Sequence, residues 1–81
     1  MQDIEPLCVD VRELCAAGKA PLGTILAAVD LLEPDQGLKL LTPFKPLPLF
    51  ALLGHKGFSH EKTRLEDGSW EILFRQNGSG N

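Results

Sequence analysis

The sequence has no apolar run long enough to cross a bilayer. Its densest stretch, Leu47 to Leu53, falls far short of the ~18–20 residues that a spanning helix needs. Positive charge is also scarce. Eight Lys and Arg against eleven Asp and Glu cannot supply the broad phosphate-neutralising surface that nucleic acid requires. The chain is therefore expected to have neither a nucleic-acid nor a membrane partner. Metal-binding residues are few: Cys8, Cys15, His55 and His60 form no Cys-x-x-Cys or His-x-x-x-His pair. Zinc takes three or four such ligands at defined spacing, so no metal is expected, and nothing points to another cofactor. Gly18 stands alone, without the Gly-Lys-Ser/Thr run of a phosphate-binding loop. Both histidines lie in the second half of the chain, and no Ser-His-Asp arrangement can be argued from them.

What remains describes a small folded chain. Eighty-one residues with 43% hydrophobic content suit one domain with a single core, expected over residues 1–76. The NGSGN ending is expected to be a disordered tail over 77–81. The first residues, Met1-Gln2-Asp3-Ile4-Glu5, are acidic where a secretory signal would be basic and then apolar. A cytoplasmic location with two free thiols is the matching expectation. Charge is uneven: residues 1–37 hold seven acids and two bases, residues 38–81 four acids and six bases. Such asymmetry can orient a partner or a second copy.

Leu7, Val9 and Val11 alternate with Cys8 and Asp10, which predicts a strand with the aliphatics on its core face. Arg12 to Ala20 reads as a loop with Gly18 as its flexible point. Pro21 suits a first helical position. Behind it, Leu22, Ile25, Leu26, Val29 and Leu32 form an apolar stripe, and Pro34 ends the helix. Asp35-Gln36-Gly37 is the turn into a second strand, Leu38–Leu41. Three prolines in Thr42–Pro48 predict a stiff extended connector. A short helix follows from Pro48, with Leu49, Phe50 and Leu53 buried and Gly54 as cap. Phe58–Leu65 reads as a polar edge strand. The Asp67-Gly68 signal makes a hairpin to a well-patterned strand holding Trp70, Ile72 and Phe74. The predicted core is Leu7, Val9, Val11, Leu22, Ile25, Leu26, Val29, Leu49, Phe50, Leu53, Trp70, Ile72 and Phe74.

The predicted order is thus β-α-β-α-β-β, an α/β two-layer sandwich with a four-stranded mixed sheet. Right-handed crossovers place both helices on one face and leave the other face open. An open face is either polar or a docking surface, and a homodimer through it is one expectation.

The segments DVREL, AGKAPLGTILAAVDLL, TPFKPLPLFALLGHKGF and LEDGSWEILF resemble the bacterial domain-of-unknown-function family 2249. Through it the chain resembles the TusA/SirA-like two-layer sandwich. The resemblance spans about residues 7–75, and PFKPLPL followed by a short helix is its most specific part. It implies the strand order 1-2-4-3, with the third strand at an edge. TusA-like sulfur carriers present a nucleophilic cysteine in a Cys-Pro-x-Pro segment opening the first helix. With Pro21 matched to the second proline of that segment, the cysteine slot here is Gly18 and the first proline slot is Lys19. The nucleophile is absent. The resemblance also implies company with hemerythrin-like and nitrogen-oxide-handling proteins.

Two functional classes follow. One is a non-enzymatic binding or accessory module for a protein or small-ligand partner, with Arg12, Lys19, Phe44, Lys45 and His55 as candidate binding residues. The other is a sulfur carrier in which Cys15 takes up a persulfide, helped by the first helix's N-terminus and Lys19. The first is favoured. Cys15 is expected to pack as a small hydrophobe beside Leu14, and Cys8 to be structural in mid-strand. Asp10 and Arg12 are expected to pair, with Asp10 anchoring the next loop. His55 and His60 read as solvated, and Phe44 as capping the end of the core.

Overall fold

The structure is a computed structural model and describes residues 4–76; the predicted tail at 77–81 lies outside them. Four strands form one sheet: β1 (Leu7–Asp10), β2 (Leu38–Thr42), β3 (Phe58–Arg64) and β4 (Trp70–Gln76). Their order is β1-β2-β4-β3. β1 runs parallel to β2, and β4 runs antiparallel to both β2 and β3. The sheet is mixed, with β3 at an edge and the cleanly alternating β4 inside it.

The helices add one element to the expected order. Where a loop was expected after β1, Arg12–Ala16 forms a short helix, α1. Five residues are too few to show a helical period in sequence. Its end is well defined: Gly18 N–H bonds the Cys15 carbonyl and Lys19 N–H the Leu14 carbonyl, with Gly18 at φ +79°. That pair of bonds is a Schellman cap, which needs a left-handed residue and therefore favours glycine. Gly18 is a helix terminator, not a flexible point.

The next helix, α2 (Leu22–Asp30), is shorter than the stripe suggested. The Pro21 carbonyl takes the first helical bond, from Ile25 N–H. Leu31 and Leu32 bond three residues back, to Ala28 and Val29, which tightens and ends the last turn. Gln36 N–H then reaches the Glu33 carbonyl, and Asp35 has φ +68°. With Pro34 second and a left-handed residue third, this is a type II turn. The last helix, α3 (Leu47–His55), passes straight through Gly54. Gly57, at φ +92°, takes the capping position expected of Gly54.

The β3–β4 hairpin also differs in detail. Leu65 exchanges bonds with Ser69 and Gly68, and only Gly68 is left-handed there. The connection is a three-residue loop with a glycine bulge rather than a two-residue Asp-Gly turn.

Nine residues form the buried core: Val11, Ile25, Ala28, Leu38, Leu40, Leu49, Leu53, Ile72 and Phe74. Leu7, Val9, Leu26, Val29, Phe50 and Trp70 pack against it partly buried. Ile25 and Ala28 of α2 and Leu49 and Leu53 of α3 therefore share one sheet face. Leu22 is the exception among the predicted core residues, 46% exposed; it stands one turn ahead of Ile25 at the mouth of a groove. Leu38 and Leu40, fully enclosed, lie beneath both helices because β2 is an inner strand. The register puts Cys8, Asp10, Lys39, Glu61, Glu71 and Arg75 on the other face, around half-buried Leu41 and Leu73. That face is mostly polar. A homodimer through it would have to bury these charges.

Candidate functional site

The groove begins with the chain leaving β2. Thr42 is buried, and its hydroxyl donates to the Phe44 carbonyl (3.1 Å) while accepting from Phe44 N–H (3.5 Å). This small loop satisfies the hydroxyl locally and turns the backbone sharply. Pro46 and Pro48 then stiffen the entry to α3. As a result Phe44 projects beside the start of α2. Pro21, Leu22, Ile25, Phe44, Pro46, Pro48 and Leu49 line an almost wholly apolar groove of about 230 Å³.

Phe44 does not cap the core: it is 48% exposed and forms a wall of this groove. The proline on either side denies it the freedom to fold inward. Lys45, one residue on, points the other way. Its Nζ lies 5.2 Å from the centre of the Trp70 ring, and the Arg64 guanidinium lies 5.5 Å from the same ring. Two cations thus flank one half-buried indole.

Arg12 has a different task. Its Nε and Nη2 hold both carboxylate oxygens of Asp10 (3.0 and 2.8 Å), and its backbone N–H bonds Asp10 Oδ1 (3.0 Å). Nη1 reaches Asp67 Oδ2 (3.3 Å) and Ser69 Oγ (3.5 Å). The guanidinium therefore ties the end of β1 to the β3–β4 hairpin across the end of β2. The expected Asp10–Arg12 pair and the Asp10 loop anchor are both present. The Arg12 side-chain hydrogen bonds hold the Asp10 carboxyl below its ordinary value. Bonds from the Ser69 hydroxyl and N–H do the same for Asp67. With its three nitrogens engaged in this strap, Arg12 is a structural tie.

The other candidates are scattered. Lys19 is exposed two residues before Pro21, near the groove. His55 is exposed at the far end of α3, about 13 Å along the helix from its start. The structure thus brings Phe44 and Lys45 to one end of the sheet and leaves His55 away from them. His60 is not simply solvated: its ring stacks on Phe50, with centroids 3.9 Å apart and planes 6° apart. Trp70 and Leu22, expected only in the core, and Arg64 join Phe44 and Lys45 at this end without having been candidate binding residues. The proline spacing around Phe44 was the available signal.

One of the two thiols departs from expectation. Cys15 packs half-buried against the core, as predicted, but Cys8 is exposed on the open face. Strand alternation puts Cys8 opposite Leu7 and Val9, and among the described residues no helix covers that side. Both cysteines are free. Among the described residues no group of three or more His, Cys, Asp or Glu could hold a metal ion, and no helix is long and apolar enough to cross a membrane.

The model of an uncharacterized conserved protein family, DUF2249, matches residues 8–76. The chain belongs to the DUF2249 family. No curated protein and no solved structure matches the chain. The match begins inside β1 and ends with the last residue of β4. In this DUF2249 chain it therefore takes in the groove, the Arg12 strap and both cysteines.

Proposed function

We propose that this chain is a non-enzymatic binding module of TusA/SirA-like architecture, acting as an accessory to a protein partner through the groove between α2 and the Phe44–Pro48 connector. The observation that carries this reading is the exposure of Phe44 and Leu22 over an apolar cleft walled by three prolines, Pro21, Pro46 and Pro48. A cleft whose walls cannot relax loses little entropy on binding, so an incoming apolar side chain keeps more of its burial energy. Lys45 and Arg64 beside Trp70 offer a polar rim to the same end. A connection to redox or nitrogen-oxide metabolism belongs to the same reading.

The sulfur-carrier alternative has less support. Its cysteine slot is Gly18, held at φ +79° by the Schellman cap, a conformation costly for any residue with a Cβ. Its substitute nucleophile, Cys15, packs against the core. Thiol labelling at neutral pH should therefore be fast at Cys8 and slow at Cys15; the reverse order would revive the carrier.

The test pairs intact mass with capture. After incubation with a cysteine desulfurase and cysteine, the chain should gain no sulfur atom that Cys15→Ser abolishes. In native lysate, a partner retained by wild type and by Cys15→Ser should be lost by Leu22→Glu. A Cys15-dependent sulfur gain would replace this reading with the alternative.

A further inference from the structure

β3 has an outer edge that nothing in the described chain uses. It lies at the end of the sheet order, paired with β4 alone. The bonds of Leu65 to Ser69 and Gly68 fix the alternation. Ser59, Glu61 and Thr63 direct their backbone groups to β4, while Phe58, His60, Lys62 and Arg64 direct theirs outward. Among the described residues no backbone bond from another element reaches those outward groups. The same four residues send their side chains to the helix-bearing face, where Lys62 and Arg64 make no ion pair among the described residues. Lys62 and Arg64 thus make a short basic row along this edge.

A second copy is a poor occupant. In the full-overlap antiparallel register of Phe58–Arg64, Glu61 of one copy would face Glu61 of the other, and Lys62 and Arg64 of both copies would crowd the helix-bearing face. Like charges directly opposed destabilise a strand pair. The row therefore rejects self-pairing, the usual hazard of an exposed edge, and by the same charges selects the opposite partner.

We propose that the outer edge of β3 docks an acidic extended segment of a partner protein, which joins the sheet as a fifth strand. The outward N–H and C=O groups of His60, Lys62 and Arg64 would form the ladder. Carboxylates at alternate positions of the segment would lie over Lys62 and Arg64. This is strand addition, in which the main chain supplies affinity and alternate side chains supply specificity. It is distinct from the groove: no residue of β3 lines that cleft, and Arg64 is shared only at the rim.

The probe is a synthetic nine-residue peptide alternating glutamate with valine or threonine, labelled for anisotropy. One control carries lysine for glutamate, and a second is N-methylated at alternate amides. The acidic peptide should bind, weaken with added salt, and protect the His60, Lys62 and Arg64 amides from hydrogen exchange. Lys62→Glu, at an exposed position, should weaken it at least tenfold, while Lys39→Glu, the same charge change on the open face, should leave it unchanged. The lysine and N-methylated peptides should not bind. Absence of binding by the acidic peptide, equal binding by the N-methylated one, equal loss in Lys39→Glu, or unprotected β3 amides would each overturn the proposal.

Discussion

Asp10, Arg12, Asp67 and Ser69 show how single side chains close the sheet at the end where β1 and β2 finish. Both carboxyls titrate below their ordinary value near 3.8, so they bind protons less readily folded than unfolded. The sign follows from linkage: their contribution is complete above about pH 4 and disappears as pH falls further through the folded-state values. Both groups are largely exposed, so solvent screens the effect and keeps it modest. In urea titrations, an Asp10→Asn, Asp67→Asn double variant should start less stable near neutral pH and then vary less than wild type between pH 5 and the acid limit. Parallel curves would mean the strap contributes nothing through these charges. Gly37 poses a steric test. A Cβ there would stand 2.9 Å from the Phe74 carbonyl oxygen, a backbone atom that cannot move without disturbing β4. Gly37→Ala should lose about 1–3 kcal/mol by overpacking, visible as a lower denaturation midpoint, and an unchanged midpoint would show that β2 enters the sheet more loosely.

The helices sort the apolar stripe into buried and free positions. Ile25 is 2% exposed and Leu22 46%, although they are one turn apart and equally apolar. Ile25→Ala should lose about 2–5 kcal/mol as a core truncation, whereas Leu22→Ala should stay within about 0.5 kcal/mol. Comparable losses in the two chemical-denaturation curves would place Leu22 in the core. Alternation and proline punctuation made the strands, the order of elements and most of the core legible in sequence. α1 was not, because five residues carry no period; its Schellman cap depends on backbone bonds rather than residue pattern. The end of α2 was misplaced because Leu32 continues the stripe while the backbone has already tightened. Gly57 displaced Gly54 as the cap because α3 runs two residues past its last apolar one, Leu53. The candidate site was partly legible. The prolines marked Phe44 as rigid, but which way a rigid aromatic faces depends on Thr42 and on the start of α2, distant in sequence.

At the scale of the molecule, the helix-bearing side and the open side carry different chemistry. The open side is charged and bears the accessible thiol, Cys8. The helix-bearing side holds the apolar cleft and the cation-flanked Trp70. On the proposed function, the cleft binds a partner and thiol chemistry plays no part. Leu47, 62% exposed at the start of α3 beside the cleft, offers a place to test it without altering the lining. The most direct measurement is photocrosslinking in the native cell from a reactive side chain installed at position 47. One discrete adduct is predicted, undiminished in Cys15→Ser and abolished in Leu22→Glu. An adduct that vanishes in Cys15→Ser, or that survives Leu22→Glu at full yield, would contradict it.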